Sequence, residues 1–229
     1  MNTQMSRQPE PEVMDIEAEA EAYARADFSE VNQAFADRLV ELVGGLERAA
    51  AIDLGAGPAD ITIRVSKARP AWRIKAVDAA PAMLALARKA VDNAGLSGAI
   101  ELIQADAKDT RLPGQSFDVL FSNSILHHIT QVELFWNEVK RLAKPGALVF
   151  LRDLARPASP QSARDVVEKY SGSESELLKE EFYRSLLSAY TPEEVRIQLK
   201  SAALDWLDVA MVTDRHLDVF GRLEACISA

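Results

Sequence analysis

Apolar residues along this chain come in blocks whose internal period switches between that of a helix and that of a buried strand. Between Asp15 and Val43 they recur at spacings of three to five (Tyr23, Phe28, Val31, Phe35, Leu39, Leu42), which predicts a leading helix that Gly44 and Gly45 stop. Short apolar runs bounded by turn residues predict strands at Ala50–Leu54, Trp72–Val77, Ala99–Gln104, Phe117–Ser122 and Ala147–Leu151. Helical stretches fall between them. They are Ala59–Ala68, closed by Pro70; Pro81 to about Asn93, with proline where no amide donor is lost; and Val132–Leu142, carrying Phe135 and Trp136. Lys144-Pro145-Gly146 reads as a turn before the fifth strand. Strands alternating with helices predict an α/β fold with a doubly wound, mostly parallel sheet covered on both faces.

The alternation breaks at residues 157–190, which open with proline and serine, pass through "SGSESE" and continue as a helical stretch to Tyr190. This segment predicts a helical cap inserted in the sheet domain. Thr191-Pro192-Glu193-Glu194 has the form of a helix start, with a capping threonine, proline in the first position and acids in the first turn, and that helix runs to about Ala203. Leu207–Thr213 and His216–Phe220 predict a closing antiparallel strand pair. Residues 1–14, with Pro9 and Pro11 and little apolar material, are expected to be a flexible segment that frays, leaving one domain over 15–229.

Composition narrows the class. A chain of 229 residues with 48% hydrophobic content can bury a full core. Its one cysteine, Cys226, forms no disulfide framework, which fits a reducing cytoplasm. No apolar run approaches the roughly 20 residues a membrane helix needs, and the first thirty residues lack the form of a secretion signal. Net charge is −9. This acidic balance argues against a surface that tracks nucleic-acid phosphates. No feature of the sequence sets the oligomeric state.

Candidate chemistry gathers at the strand ends, where open α/β sheets bind their ligands. After the first strand comes "AIDLGAGPAD", with Asp53, Gly55, Gly57 and Asp60; Asp78 ends the second strand, 25 residues past Asp53. Asp106 follows the third strand, and Ser122 and Asn123 end the fourth. Glycines at 55 and 57 permit a tight turn and close approach of a ligand. A carboxylate at position 78 can accept both hydroxyls of a ribose, and it can equally cap the helix that Pro81 opens. Asp106 can accept from an adenine amino group while the Ala107 amide donates to the ring, or it can be a surface acid. A dinucleotide site would want a third glycine at position 60. Carboxylates at 53 and 60 would repel a pyrophosphate and suit a cationic ligand instead.

These motifs, in this order, resemble the class I S-adenosylmethionine-dependent methyltransferases, especially the small-molecule branch that includes quinone-biosynthesis enzymes. The resemblance is carried by "AIDLGAGPAD", "VDAAPAMLALAR", "IQADAKD", "FDVLFSNSILHHI" and "LAKPGALVFLRD", and covers roughly residues 20–155 plus the terminal strand pair. The chain departs from the family pattern at Ala59, where a third glycine is usual, and at Ala80, where a serine is common. The resemblance implies a Rossmann-like fold and methyl transfer from S-adenosylmethionine, leaving S-adenosylhomocysteine. It implies cofactor contacts from Tyr23, Asp53, Gly55, Gly57, Asp78, Ala79, Met83, Asp106, Ala107, Ser122 and Asn123. Asp78 would hold the ribose, Met83 would meet the adenine, and Tyr23 would either reach the methionine end from the leading helix or pack in the core.

His127 and His128 stand on the rim of the expected pocket, where either could act as a general base. A metal site of His127, His128 and Asp153 is set aside because adjacent histidines rarely point the same way, so no metal is expected. Arg152 and Arg156 follow the fifth strand, near where a substrate anion could sit; surface solvation is the expectation for Arg156. Phe182, Tyr183, Leu186 and Tyr190 form a stripe that either packs the cap or walls a substrate pocket. The expected acceptor is a small molecule enclosed by the strand ends, the leading helix and the cap. Two other readings share the cofactor site: a binding protein without turnover, and an enzyme doing different chemistry on the same cofactor. A nicotinamide dehydrogenase is disfavoured by Asp60.

Overall fold

The strands join in one sheet: β1 (Ala50–Leu54), β2 (Arg73–Asp78), β3 (Ile100–Gln104), β4 (Phe117–Asn123), β5 (Ala143–Leu154), β6 (Asp208–Met211) and β7 (His216–Arg222), in the order β3-β2-β1-β4-β5-β7-β6. The computed structural model describes residues 5–11 and 28–223. Residues 15–27 of the expected leading helix, Tyr23 included, and Cys226 lie outside the described residues. The helices are α1 (Ser29–Val43), α2 (Asp60–Ala68), α3 (Pro81–Asn93), α4 (Val132–Leu142), α5 (Pro160–Ser171), α6 (Glu176–Ser188) and α7 (Pro192–Ser201). β1 lies parallel to both β2 and β4, and β7 runs antiparallel to both β5 and β6. This is the doubly wound, Rossmann-like sheet with an antiparallel end that the residue pattern predicts.

The strands read as continuous apolar runs because both faces of the sheet are buried. Ala51, Val119, Phe121, Leu148 and Phe150 face α1, α2 and α3. Their neighbours Ile52, Leu54, Leu120, Val149 and Leu151 face α4 and α7. Phe35 of α1 is fully buried and stacks on Phe150, with ring centroids 4.5 Å apart. On the opposite face Trp136 of α4 is equally buried, and its indole donates to Gln198 Oε1 of α7 at 3.1 Å.

β5 is longer than its apolar run suggests. It starts at Ala143, so Lys144-Pro145-Gly146 lies within it as an irregularity: Phe117 pairs with Ala143, but Val119 pairs with Leu148. Proline cannot donate to the ladder, and Gly146 takes φ 81, so the strand bulges there and then resumes pairing.

The 157–190 segment forms α5 and α6, each started by a serine whose side chain accepts from the amide three residues on: Ser159 from Ser162 and Ser175 from Leu178. These helices share a small core of Leu154, Ala163, Val167, Leu186, Leu187 and Ala189. Phe182 and Tyr183 pack against that core. Thr191 and Glu194 form a reciprocal capping box at α7.

The expectation of a frayed N-terminus differs from the structure at residues 5–11. Gln8 N donates to Leu187 O at 3.0 Å, and the Arg7 guanidinium donates to the carbonyls of Ser188 and His127. Arg7 also lies over the Tyr190 ring, 4.0 Å from its centroid. The segment lacks apolar periodicity because polar bonds to distant carbonyls hold it.

Candidate active site

The winding of the chain reverses between β1 and β4, which opens a crevice at the carboxyl ends of the strands. The glycine turn lies there. Gly55 takes φ 76, and its amide and that of Ala56 both donate to Val77 O, at 2.8 and 2.9 Å. A Cβ at Gly55 would stand 2.5 Å from Ile125 Cδ1, so this glycine is required by space as well as by conformation. Gly57 takes φ 53 with open space around it. Ala59, where the family pattern has glycine, is buried and adopts φ 66. An alanine thus bears a left-handed conformation here.

Asp78 organises the turn. Its Oδ2 accepts from Gly57 N and its Oδ1 from Ala80 N, both at 2.8 Å. It therefore ties the glycine turn to the start of α3, which has no side-chain cap of its own. Burial raises its pKa, partly offset by the Ala80 and Gly57 amides. Each carboxylate oxygen keeps acceptor capacity for a further donor.

Asp53 is buried beneath the turn and accepts from Thr62 Oγ1 of α2 at 2.5 Å. Burial pushes its carboxyl up to about 7, the Thr62 hydroxyl opposes this, and the charge of Asp78 adds to it. Neither Asp53 nor Asp78 makes an ion pair among the described residues. Two raised carboxyls beside one turn form an environment that a cationic or hydroxyl-bearing ligand would complete. Asp60 does not contribute as the sequence reading proposed. It pairs with Arg64 Nε at 2.9 Å and accepts from Asn32 Nδ2, so its charge is balanced within its own helix.

The remaining strand-end residues fall around the same crevice. Ala79 adjoins Asp78, and Met83 is buried one helical turn on with Ala80. Ala105 N donates to Asp78 O at 3.1 Å, which brings the Asp106–Ala107 segment beside β2. Asp106 itself is exposed and bonded to Lys108, through the backbone amide at 2.8 Å and the ammonium at 3.1 Å. Ala107 is buried. Ser122 is buried, and its hydroxyl donates to Leu54 O, tying β4 to β1. Asn123 reaches the Ser124 hydroxyl at 3.2 Å.

The two histidines occupy a 3-10 turn, Leu126–His128, directly after β4. His127 is buried, with Nδ1 2.5 Å from Asp153 Oδ1. Its Nε2 lies 3.5 Å from Glu10 Oε1, and His128 Nδ1 lies 3.3 Å from the same oxygen. The adjacent rings therefore do face a common point, with centroids 4.2 Å apart. Burial lowers the His127 pKa, but Asp153 and then Glu10 outweigh it and the net shift is upward. Burial, reinforced by His127, lowers His128 to about 3. With both ring nitrogens of His127 facing carboxylates, an acceptor reaches Nε2 only if Glu10 moves.

Sequence reasoning missed Glu10 and Arg7. Nothing in a proline-flanked polar segment marks them, since their partners lie more than a hundred residues away. Arg152, within β5, and Arg156, just after it, are also placed differently from the expectation of a substrate-anion site. Arg152 forms a two-point ion pair with buried Asp218 of β7. Arg156 is buried rather than solvated, and donates to Ala189 O, Met5 O and Glu194.

Residues 52–151 match a family model described as a methyltransferase domain. A ubiquinone/menaquinone biosynthesis C-methyltransferase of Ectopseudomonas mendocina is 27% identical over 135 residues, covering 58% of this chain and 52% of that protein. The chain thus spans about half the length of the curated relatives it matches. A SAM-dependent methyltransferase of Aquifex aeolicus superposes with TM-score 0.66 at 19% identity, covering 89% of this chain and 97% of the other. A phosphoethanolamine N-methyltransferase of Haemonchus contortus, in complex with phosphomonomethylethanolamine and S-adenosylhomocysteine, gives 0.70 at 16% identity, over 91% of this chain and 57% of its own. In the matched segment, the strand order and the glycine turn with its acidic strand ends, the chain is similar to the S-adenosylmethionine-dependent methyltransferases.

Proposed function

We propose that this chain binds S-adenosylmethionine across the carboxyl ends of β1–β4 and transfers its methyl group to a small-molecule acceptor. The observation that carries the reading is Asp78, fixed by the Gly57 and Ala80 amides with lone pairs left for a ribose diol. On this reading the adenine lies between Met83 and the Asp106–Ala107 segment, and the methionine end lies over the Gly55–Gly57 turn. Asp53 and Asp78 favour the cationic donor over a pyrophosphate. The sulfonium is already an activated donor, so the protein's main task is alignment of nucleophile, methyl carbon and sulfur. Positive charge leaves the sulfur during the displacement, and exclusion of water assists it.

The histidine turn, the cap and residues 5–11 stand on the acceptor side. The acidic chain supports a small acceptor over a nucleic acid. The relatives' names speak of ubiquinone and menaquinone biosynthesis and of phosphoethanolamine, so phenols, quinols and amines are the classes to try first. The test is calorimetric titration of ligand-free protein with S-adenosylmethionine and S-adenosylhomocysteine, followed by mass-spectrometric detection of S-adenosylhomocysteine formed with an acceptor panel. Absence of heat with both ligands would sink the reading. Binding without turnover across the panel would favour a non-catalytic cofactor-binding protein.

A further inference from the structure

Residues 5–11 bring a carboxylate to two imidazoles, and the arrangement has the form of a metal site. The donor atoms of Glu10, His127 and His128 all lie within 4.8 Å of one another. Zinc bonds to nitrogen and carboxylate oxygen measure about 2.0–2.2 Å, so the ligand-to-ligand edges of a tetrahedron round zinc measure roughly 3.3–3.6 Å. Glu10 Oε1 stands 3.5 Å from His127 Nε2 and 3.3 Å from His128 Nδ1. Two of the three edges already have the required length.

The surroundings are those of a supported site. A metal-bound histidine usually gives its other ring nitrogen to a carboxylate, which fixes the ring and its tautomer. Asp153 does this for His127 at 2.5 Å and is itself held by the amides of Leu126 and Leu154, both at 2.6 Å. Ser185 Oγ donates to Glu10 Oε1 at 3.1 Å, and Glu10 N donates to Ser188 Oγ at 3.2 Å. Pro11 O lies 3.2 Å from His128 Nδ1, the one contact that nitrogen would give up to a metal. His127 and Glu10 are almost wholly buried, and His128 is half-buried.

We propose that Glu10, His127 and His128 form a site for a divalent transition ion of the zinc class, with Asp153 orienting His127. Two imidazoles and one carboxylate suit zinc, cobalt or nickel better than the all-oxygen preference of magnesium and calcium. Three protein ligands leave a fourth position for water or an acceptor heteroatom. The site does not depend on the methyl-transfer reading. If that reading holds as well, an ion here would lower the pKa of an acceptor hydroxyl, the task otherwise given to a histidine base.

The test is cobalt titration of the chelator-stripped full chain, read by visible ligand-field absorption, with elemental analysis of zinc retained after gel filtration. The expected result is a single equivalent of ion with an intense tetrahedral-type cobalt band. Glu10→Gln and His128→Ala should abolish that band, and Asp153→Asn should weaken affinity about 10–100-fold. Circular dichroism checks that each variant is folded. His128→Ala, at a half-buried position, serves if a buried variant is not. Failure of the folded wild-type chain to take up an equivalent, or uptake unchanged in Glu10→Gln and His128→Ala, overturns the proposal: the cluster would then be an imidazolium–carboxylate pairing that holds residues 5–11.

Discussion

Asparagine at position 53 isolates the electrostatic cost stored under the glycine turn. Asp53 is only 2% exposed, and its carboxyl is pushed from an ordinary 3.8 up to about 7. A carboxyl raised in the folded state stabilises only while protonated. That contribution is fully present below 3.8 and is lost as pH rises through 7. Between these values the unfolded chain has released the proton and the folded chain retains it, so each pH unit costs about 1.4 kcal/mol. The accumulated cost levels off above pH 7 at about 4 kcal/mol. An asparagine oxygen can still accept from Thr62, while its amide group needs a partner that the carboxylate did not. That penalty, about 1–3 kcal/mol, is independent of pH. The informative quantity is therefore the pH dependence of the difference between the two proteins. The stability of Asp53→Asn relative to wild type should rise by about 4 kcal/mol from roughly pH 4 to pH 8. Urea unfolding of ligand-free protein across that range measures it, and the carboxylates that are not coupled to Asp53, unlike Asp78, cancel in the difference. A difference that stays flat with pH would refute the reasoning, because Asp53 would then be ionised at its ordinary pKa despite its burial.

The two glycines of the turn should behave differently. Gly55→Ala adds left-handed strain and a 2.5 Å clash with Ile125, for a loss of about 2–5 kcal/mol by urea unfolding. Gly57→Ala bears the strain alone, about 1–2 kcal/mol. Asp78→Ala removes the acceptor for two amides and, on the proposed function, for the ribose. Affinity for S-adenosylhomocysteine by calorimetry should fall on the order of 100-fold, and an unchanged affinity would remove Asp78 from the cofactor site. Phe35→Ala should cost about 3–5 kcal/mol in the same unfolding assay, since the ring is fully buried against Phe150 between α1 and the sheet.

The sheet was legible because its information is local. Proline and glycine punctuate the strands, and the acidic or glycine-bearing ends of the first three (Asp53 with Gly55 and Gly57, Asp78, Asp106) fall at the spacings that a βα repeat imposes. Where reading failed, the deciding partner lay far away in the chain. Arg156 looks like a surface cation until α7 brings Glu194 to it and Ala189 presents a carbonyl. Glu10 and Arg7 sit in a segment with no period, and only the folded cap and the histidine turn supply the groups they bind. Asp60 is a different kind of miss. Its partner Arg64 is four residues on, at helical spacing, so the neutralising pair was readable once α2 was placed. The bulge in β5 was hidden because Lys144-Pro145-Gly146 has turn chemistry, and sequence alone does not distinguish a turn that ends a strand from one that interrupts it.

On the proposed function the crevice has a cofactor side and an acceptor side, built by different means, and this bears on how acceptor choice can vary. The cofactor side follows from strand register: Asp53, Asp78 and Ser122 are placed by main-chain pairing of β1, β2 and β4, and Ser122 adds a bond from β4 to Leu54 O. The acceptor side is assembled from segments distant in sequence. The carbonyl of His127 receives Arg7 and the Ser188 hydroxyl, and the carbonyl of Ile129 receives Arg7 and the Tyr190 hydroxyl. Residues 5–11 and the end of the cap thus converge on the one turn that carries both histidines. Substitutions in these segments can reshape the acceptor side while leaving the sheet register intact. Side-chain bonds to carbonyls, unlike a ladder of paired strands, can be exchanged one at a time.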